Sequence, residues 1–169
     1  MNILVIGGAG YIGATLVPIL LRKGFETTVL DSLIFNQPSL LDCCADPNFH
    51  FVQGDICDHE LVNRLLSKFD IVIPLAAIVG APACMQNPSF TRLVNYDAHI
   101  NIVNNVSADQ KLFFPTTNSG YGIGEKDAYC TEETLLQPIS EYGRNKVQVE
   151  ETFLDKGNAV TFRLATVFG

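Results

Sequence analysis

The stretch VIGGAGYIG, Val5 to Gly13, decides how the rest of the chain is read. It follows an apolar run, Asn2–Gly7, that reads as a buried strand. It runs without a gap into YIGATLVPILLRKG, Tyr11–Gly24, which reads as a helix closed by Gly24. Counted from Gly8, the spacing is G-x-G-x-x-G (Gly8, Gly10, Gly13); counted from Gly7, it is G-x-x-G-x-x-G. A strand, a glycine turn and a helix start in this order let backbone N–H groups approach a pyrophosphate, while Gly13 lets the helix pack close to the sheet. Ile12, Leu16, Ile19 and Leu20 are the expected buried side of that helix, and Pro18 is expected to kink it or limit its regularity.

Outward from the turn, strand-length apolar runs alternate with helix-length segments. Strands are expected at Glu26–Asp31, Phe49–Asp55, Asp70–Ala77, Lys111–Ser119 and within Ala159–Gly169. Helices are expected at Asp58–Phe69, over about residues 91–107, and at Ile139–Gly157. Near-continuous apolar strands imply burial on both faces. The series therefore predicts an α/β fold, a doubly wound parallel sheet with helices on each side. The irregular stretch Gly120 to Pro138 follows a strand's carboxyl end, where ligands bind in such sheets, and is expected to form part of a site.

The bulk properties exclude several classes. The 169 residues are 47% hydrophobic and 17% charged, which suits one well-buried core. A net charge of −7 without a basic run argues against nucleic acid as a partner. No apolar stretch reaches membrane-spanning length, and MNILVIGGAG lacks a basic leader region, so a cytoplasmic protein is expected. The five cysteines have irregular spacings and form no C-x-x-C pair, and His50, His59 and His99 complete no ligand pattern. Free thiols and no metal site are the expectation.

Asp31 closes the second strand, where a carboxylate can accept hydrogen bonds from an adenosine ribose. No arginine follows it to hold a 2′-phosphate, so NAD is favoured over NADP. Asp55, after the third strand, has two readings that stay open, a contact to the adenine amino group or a helix N-terminal acid. Tyr142 and Lys146 lie four apart in EYGRNK, on one helix face. An ammonium beside a phenol would lower its pKa and suit it to proton transfer during hydride exchange. Taken alone, the pair is ordinary for a solvated helix face. The hydroxyls of Thr116, Thr117 and Ser119 at the fifth strand's carboxyl end add a partner for a substrate oxygen.

The glycine turn, Asp31, GDICD, PLAA, TTNSGYG, Tyr142-x-x-x-Lys146 and RLATVFG occur in an order that resembles the extended short-chain dehydrogenases/reductases, in their NAD-dependent epimerase/dehydratase branch. The resemblance covers the whole chain and implies a Rossmann fold. It implies Thr117, Tyr142 and Lys146 as catalytic residues, Tyr142 as the base and Lys146 also holding the nicotinamide ribose. It implies cofactor contacts at Gly7, Gly10, Tyr11, Ile12 and Gly13, at Asp31, Asp55 and Ile56, at Leu75, Ala76 and Ala77, and at Asn95. Asn118 and Ser119 stand where the family's dehydratases carry an Asp-Glu pair, which favours a nucleotide-sugar epimerase over a dehydratase. Pro74 stands where the family often has His, and Thr166 where it often has Asn.

The implied substrate is a nucleotide-diphosphate sugar. An NAD(P)-dependent nucleotide-sugar reductase or dehydratase of the same family and a non-catalytic NAD-binding, redox-sensing module are the alternatives. The implied assembly is a homodimer, with the helix near Asn95–Ser107 and the helix carrying Tyr142 forming a four-helix bundle. Family members continue beyond VFG into a smaller substrate-gripping domain. The 169 residues are thus expected to be a single cofactor domain, truncated after its sixth strand, that binds NAD with little or no turnover.

Overall fold

A computed structural model describes residues 1–124 and 129–168. The chain folds as β1 (Asn2–Ile6), α1 (Tyr11–Arg22), β2 (Glu26–Asp31), β3 (Phe49–Gln53), α2 (His59–Leu66), β4 (Ile71–Pro74), α3 (Ala81–Gln86) and α4 (Pro88–Arg92). It continues through α5 (Ala98–Asn105), β5 (Lys111–Thr117), α6 (Glu141–Asp155) and β6 (Ala159–Leu164). The six strands form a parallel sheet in the order β3-β2-β1-β4-β5-β6. This is the doubly wound Rossmann order, with its switch point between β1 and β4.

The period-two alternation of β1 divides the core. Leu4 and Ile6 face one layer, joined there by Val62 of α2, Ile102 of α5, Phe153 of α6 and Phe114 of β5. Ile3 and Val5 face the other, against Val17 and Leu21 of α1. Phe114 and Phe153 are fully buried and stack at 4.5 Å between ring centroids, so Phe153→Ala would cost about 3–5 kcal/mol.

Several boundaries differ from the expectations, each for a local reason. The buried line of α1 is Gly13, Val17 and Leu21, not Ile12, Leu16, Ile19 and Leu20. The close approach at Gly13 sets that helix's rotation; Leu16 and Leu20 pack beside the line, partly buried. The helix runs continuously past Pro18 and ends at Arg22, with Gly24 beyond it at φ +81°. The helix expected over 91–107 starts earlier, at Pro88, where the Asn87 side chain accepts from Phe90 N. Between α4 and α5 it widens into a π-turn, Leu93–Asp97. The edge strands are not buried on both faces: Phe51 of β3 and Val160 and Phe162 of β6 are at least 40% exposed.

Candidate active site

The carboxyl ends of β1 to β5, with the first turns of α1 and α6, deliver the functional side chains to one cleft of about 880 Å³ at the carboxyl edge of the sheet. At the switch point, the β1–α1 turn is shaped by close backbone approach. Gly7 has φ +79°, and a Cβ there would lie 2.5 Å from the Ala76 backbone nitrogen. A Cβ on Gly13 would collide with the Gly8 carbonyl oxygen. Gly7, Gly10 and Gly13 line the cleft, whereas a Cβ on Gly8 would run into the Val29 side chain under the sheet. The G-x-x-G-x-x-G reading is therefore the one that builds the wall. Tyr11 and Ile12 lie beside it at the start of α1.

Asp31 sits at the cleft edge with both carboxylate oxygens engaged. Oδ2 accepts from Ala9 N at 2.9 Å and Oδ1 from Leu33 N at 2.8 Å. The carboxylate is thus clamped between the glycine turn and the loop after β2, in the lining of the cleft, and each oxygen keeps a lone pair for a further donor. Asp55 and Ile56 also line the cleft. Asp55 caps no helix, because α2 starts at His59 and its cap is Asp58, which accepts from Leu61 N at 3.0 Å. The helix-acid reading of Asp55 falls away.

Leu75, Ala76 and Ala77 form the wall after β4, where Leu75 N and Ala76 N both donate to the Ile6 carbonyl. Pro74 ends β4, so its missing N–H falls at the strand's last position. Asn95 stands behind this wall rather than in it. It is fully buried in the π-turn; its Oδ1 accepts from Ile78 N at 2.8 Å and its Nδ2 donates to Ile78 O at 2.9 Å. Both ends of its amide are used to hold the wall's backbone.

Thr117, Tyr142 and Lys146 all border the same cleft. Thr117 ends β5, and its Oγ1 accepts from Ser119 N at 3.1 Å, which turns the chain sharply there. The hydroxyl of Thr116 is buried without a hydrogen-bond partner among the described residues. Ser140 caps α6 by accepting from Gly143 N at 3.0 Å, so Tyr142 falls in the first turn and Lys146 one turn later.

The expected lowering of the phenol does not occur in this structure. Burial, and then the Coulombic influence of Cys84, push the Tyr142 pKa up. Lys146 is turned inward: Nζ donates to Pro115 O at 3.4 Å and lies 4.5 Å from the Phe114 ring centroid. Burial lowers its pKa from 10.5 to about 8.

The described part of Gly120–Pro138 does not line the cleft. It folds back beside it instead. Gln137 N donates to Gly120 O at 2.8 Å, and Tyr121 Oη donates to Thr131 O at 3.0 Å. Arg163 of β6 completes the tie: Nε donates to Glu150 Oε1 at 2.9 Å, and Nη1 donates to Tyr121 Oη and to Glu132 O at 3.2 and 3.0 Å. Sequence reasoning missed this buried ion pair and the exposed apolar lip, Ile34 and Phe35, at the cleft mouth. The lip is the centre of a tight turn closed by Asn36 N donating to Leu33 O at 2.8 Å, and the flanking Leu33 and Asn36 adopt φ +55° and +48°. These are left-handed values, which Asn adopts more readily than most residues and which nothing about Leu33 signals.

The profile of the NAD dependent epimerase/dehydratase family matches residues 3–169, and the chain belongs to that family. The UDP-glucose 4-epimerase of Lactobacillus helveticus is 33% identical over 99% of this chain and 51% of its own length. The UDP-glucose 4-epimerase of Thermotoga maritima, solved with UDP-glucose, superposes with a TM-score of 0.85 at 28% identity, covering 100% of this chain and 57% of that one. The UDP-glucuronic acid 4-epimerase of Bacillus cereus, solved with UDP-glucuronic acid and NAD, gives 0.84 at 26% identity, covering 96% and 56%. The chain thus spans about half the length of the relatives it matches. Among the described residues, no helix is long and apolar enough to cross a membrane.

Proposed function

We propose that this chain is the NAD-binding part of a nucleotide-sugar epimerase, acting by transient oxidation of a sugar hydroxyl. The observation that carries the reading is the convergence of the glycine turn, Asp31 and the Thr117–Tyr142–Lys146 set on one cleft. The residues fit NAD, because the Gly7 and Gly13 positions have no room for a Cβ and so leave the turn's backbone bare for a pyrophosphate. Asp31 offers an anion where a ribose diol binds and a 2′-phosphate would be repelled. Bound NAD supplies a hydride acceptor that can return the hydride to either face of the sugar carbon.

The chain's own residues do the remaining work. Thr117 Oγ1 hydrogen-bonds the sugar oxygen, Tyr142 Oη removes and restores its proton, and Lys146 holds the nicotinamide ribose by swinging out from Pro115 O. The cofactor's positive ring and an outward Lys146 both favour the phenolate, and so oppose the burial that raises the Tyr142 pKa in this structure. Neither Asn118 nor Ser119 can act as the acid or base of a water elimination, which favours epimerisation over dehydration. The sugar contacts beyond Thr117 and Tyr142 come from the part of the relatives' length that this chain does not span. We place the whole enzyme as a homodimer through the α5 and α6 helices.

The test is sugar interconversion by the longer protein with UDP-sugars. Interconversion without net NADH formation supports the epimerase; stoichiometric NADH consumption supports the reductase. Unchanged activity in Tyr142→Phe overturns the mechanism.

A further inference from the structure

Lys146 presents an unusual problem of coordination. It is 3% exposed, and its ammonium carries three N–H groups. Among the described residues, one hydrogen bond meets them, the 3.4 Å contact to Pro115 O, together with the face of Phe114. No carboxylate lies within ion-pair distance among the described residues. On its own helix, Glu150 lies one turn further on; its Oε1 is taken by Arg163 and Thr161, and its Oε2, buried and without a hydrogen-bond partner among the described residues, lies outside ion-pair distance of Lys146. Tyr142, one turn earlier, is kept protonated by burial. A buried ammonium with so few partners costs free energy unless another acceptor is near.

The candidate acceptor sits on the facing helix. His99 of α5 is 0% exposed and packs edge-on against the same Phe114 ring, 5.3 Å between centroids. Its Nδ1 lies 3.0 Å from Val94 O. A carbonyl only accepts, so Nδ1 carries the hydrogen and Nε2 holds the free lone pair. That Nε2 is buried and has no hydrogen-bond partner among the described residues. An unmet acceptor and an under-coordinated ammonium therefore share one aromatic ring. The Lys146 charge, after burial, helps hold the imidazole neutral by pushing its pKa down to about 3.

We propose that His99 is a positioning residue for Lys146, its Nε2 being the inner acceptor that holds the ammonium in its withdrawn position through one bridging water. The role of Lys146 toward a nicotinamide ribose rests on the function proposed above; the pairing itself does not need it. In this arrangement, Lys146 exchanges His99 and Pro115 for the ribose when it swings outward, so His99 sets the proton count and the resting place of the lysine.

The test reads the free chain by NMR. The Nε2 resonance of His99 is followed from pH 6.5 to 10 in the wild-type protein and in Lys146→Met. The expected result is an Nε2 shift that titrates with a midpoint near that of Lys146, about 8, and is flat in Lys146→Met. A flat Nε2 resonance in the wild-type protein overturns the proposal. His99→Leu and His99→Gln give a second reading through the Lys146 side-chain resonance. The leucine lowers the lysine midpoint by about one pH unit, and the glutamine, which keeps an acceptor, restores most of it. An unchanged midpoint in a folded His99→Leu also overturns it. NAD titration on the same samples separates the outcomes, since loss of NAD binding in the wild-type chain would defeat the functional reading and leave the pairing standing.

Discussion

The ammonium of Lys146 rests 4.5 Å from the ring centroid of Phe114, on the core side of the helix that also presents Tyr142 to the cleft. This inward lysine makes the free chain store an unfavourable charge in its core, and several expected outcomes follow from that and from the ties around it.

Burial holds the Lys146 pKa near 8, against 10.5 in an unfolded chain. Between these values the unfolded chain binds more protons than the folded one, so stability rises with pH across that window, and the full penalty applies below about pH 8. The penalty is on the order of 3 kcal/mol. Lys146→Met is expected to raise stability at pH 7 by about 1–3 kcal/mol and to flatten the rise between pH 8 and 10.5. Urea unfolding at a series of pH values checks both.

His99 moves stability in the acid range. Burial lowers its pKa from 6.5 to about 3, so the contribution of the neutral ring is complete above pH 6.5 and is lost as pH falls toward 3. Far-UV circular dichroism against pH is expected to show less acid sensitivity in a folded His99→Gln.

Arg163 and Glu150 form a pair whose side chains are 16% and 3% exposed. Arg163→Met leaves the Glu150 carboxylate buried and unpaired, and is expected to cost about 3–5 kcal/mol. The double change with Glu150→Leu is expected to recover much of the loss. Additive losses in the double-mutant cycle would contradict this account of the pair.

Cys84 is buried, and its thiol donates to Ile78 O at 3.4 Å. Burial raises the Cys84 thiol's own pKa, and its thiolate, once formed at alkaline pH, opposes ionisation of the Tyr142 phenol after burial has done so; Cys84→Ser is therefore expected to move the phenol's alkaline titration downward. Ultraviolet difference titration against Tyr142→Phe isolates the signal.

Much of the fold was legible because Val5–Gly13 combines three constraints in nine residues: the apolar end of a strand, glycines where a Cβ has no room, and a helix start. The strand cores followed from their apolar runs. The rotation of α1 did not, because Leu16, Val17, Leu20 and Leu21 are all apolar and the pattern admits two faces; contact at Gly13 selects one. The cleft residues from Gly7 to Lys146 were legible as positions, but not their present hydrogen bonds. Nothing in the sequence says that Asn95 spends its amide on Ile78, or that Lys146 turns inward. Arg163 and Glu150 escaped notice because each is an ordinary charged residue whose partner is distant in the chain.

The bare backbone of the glycine turn suits this cleft to hold NAD. Isothermal titration of the purified chain with NAD tests it most directly. Saturable binding of one dinucleotide per chain is expected, with much weaker binding of NADP because of Asp31 and loss of binding in a folded Gly13→Val. No binding by the folded wild-type chain, or equal binding by Gly13→Val, would contradict it.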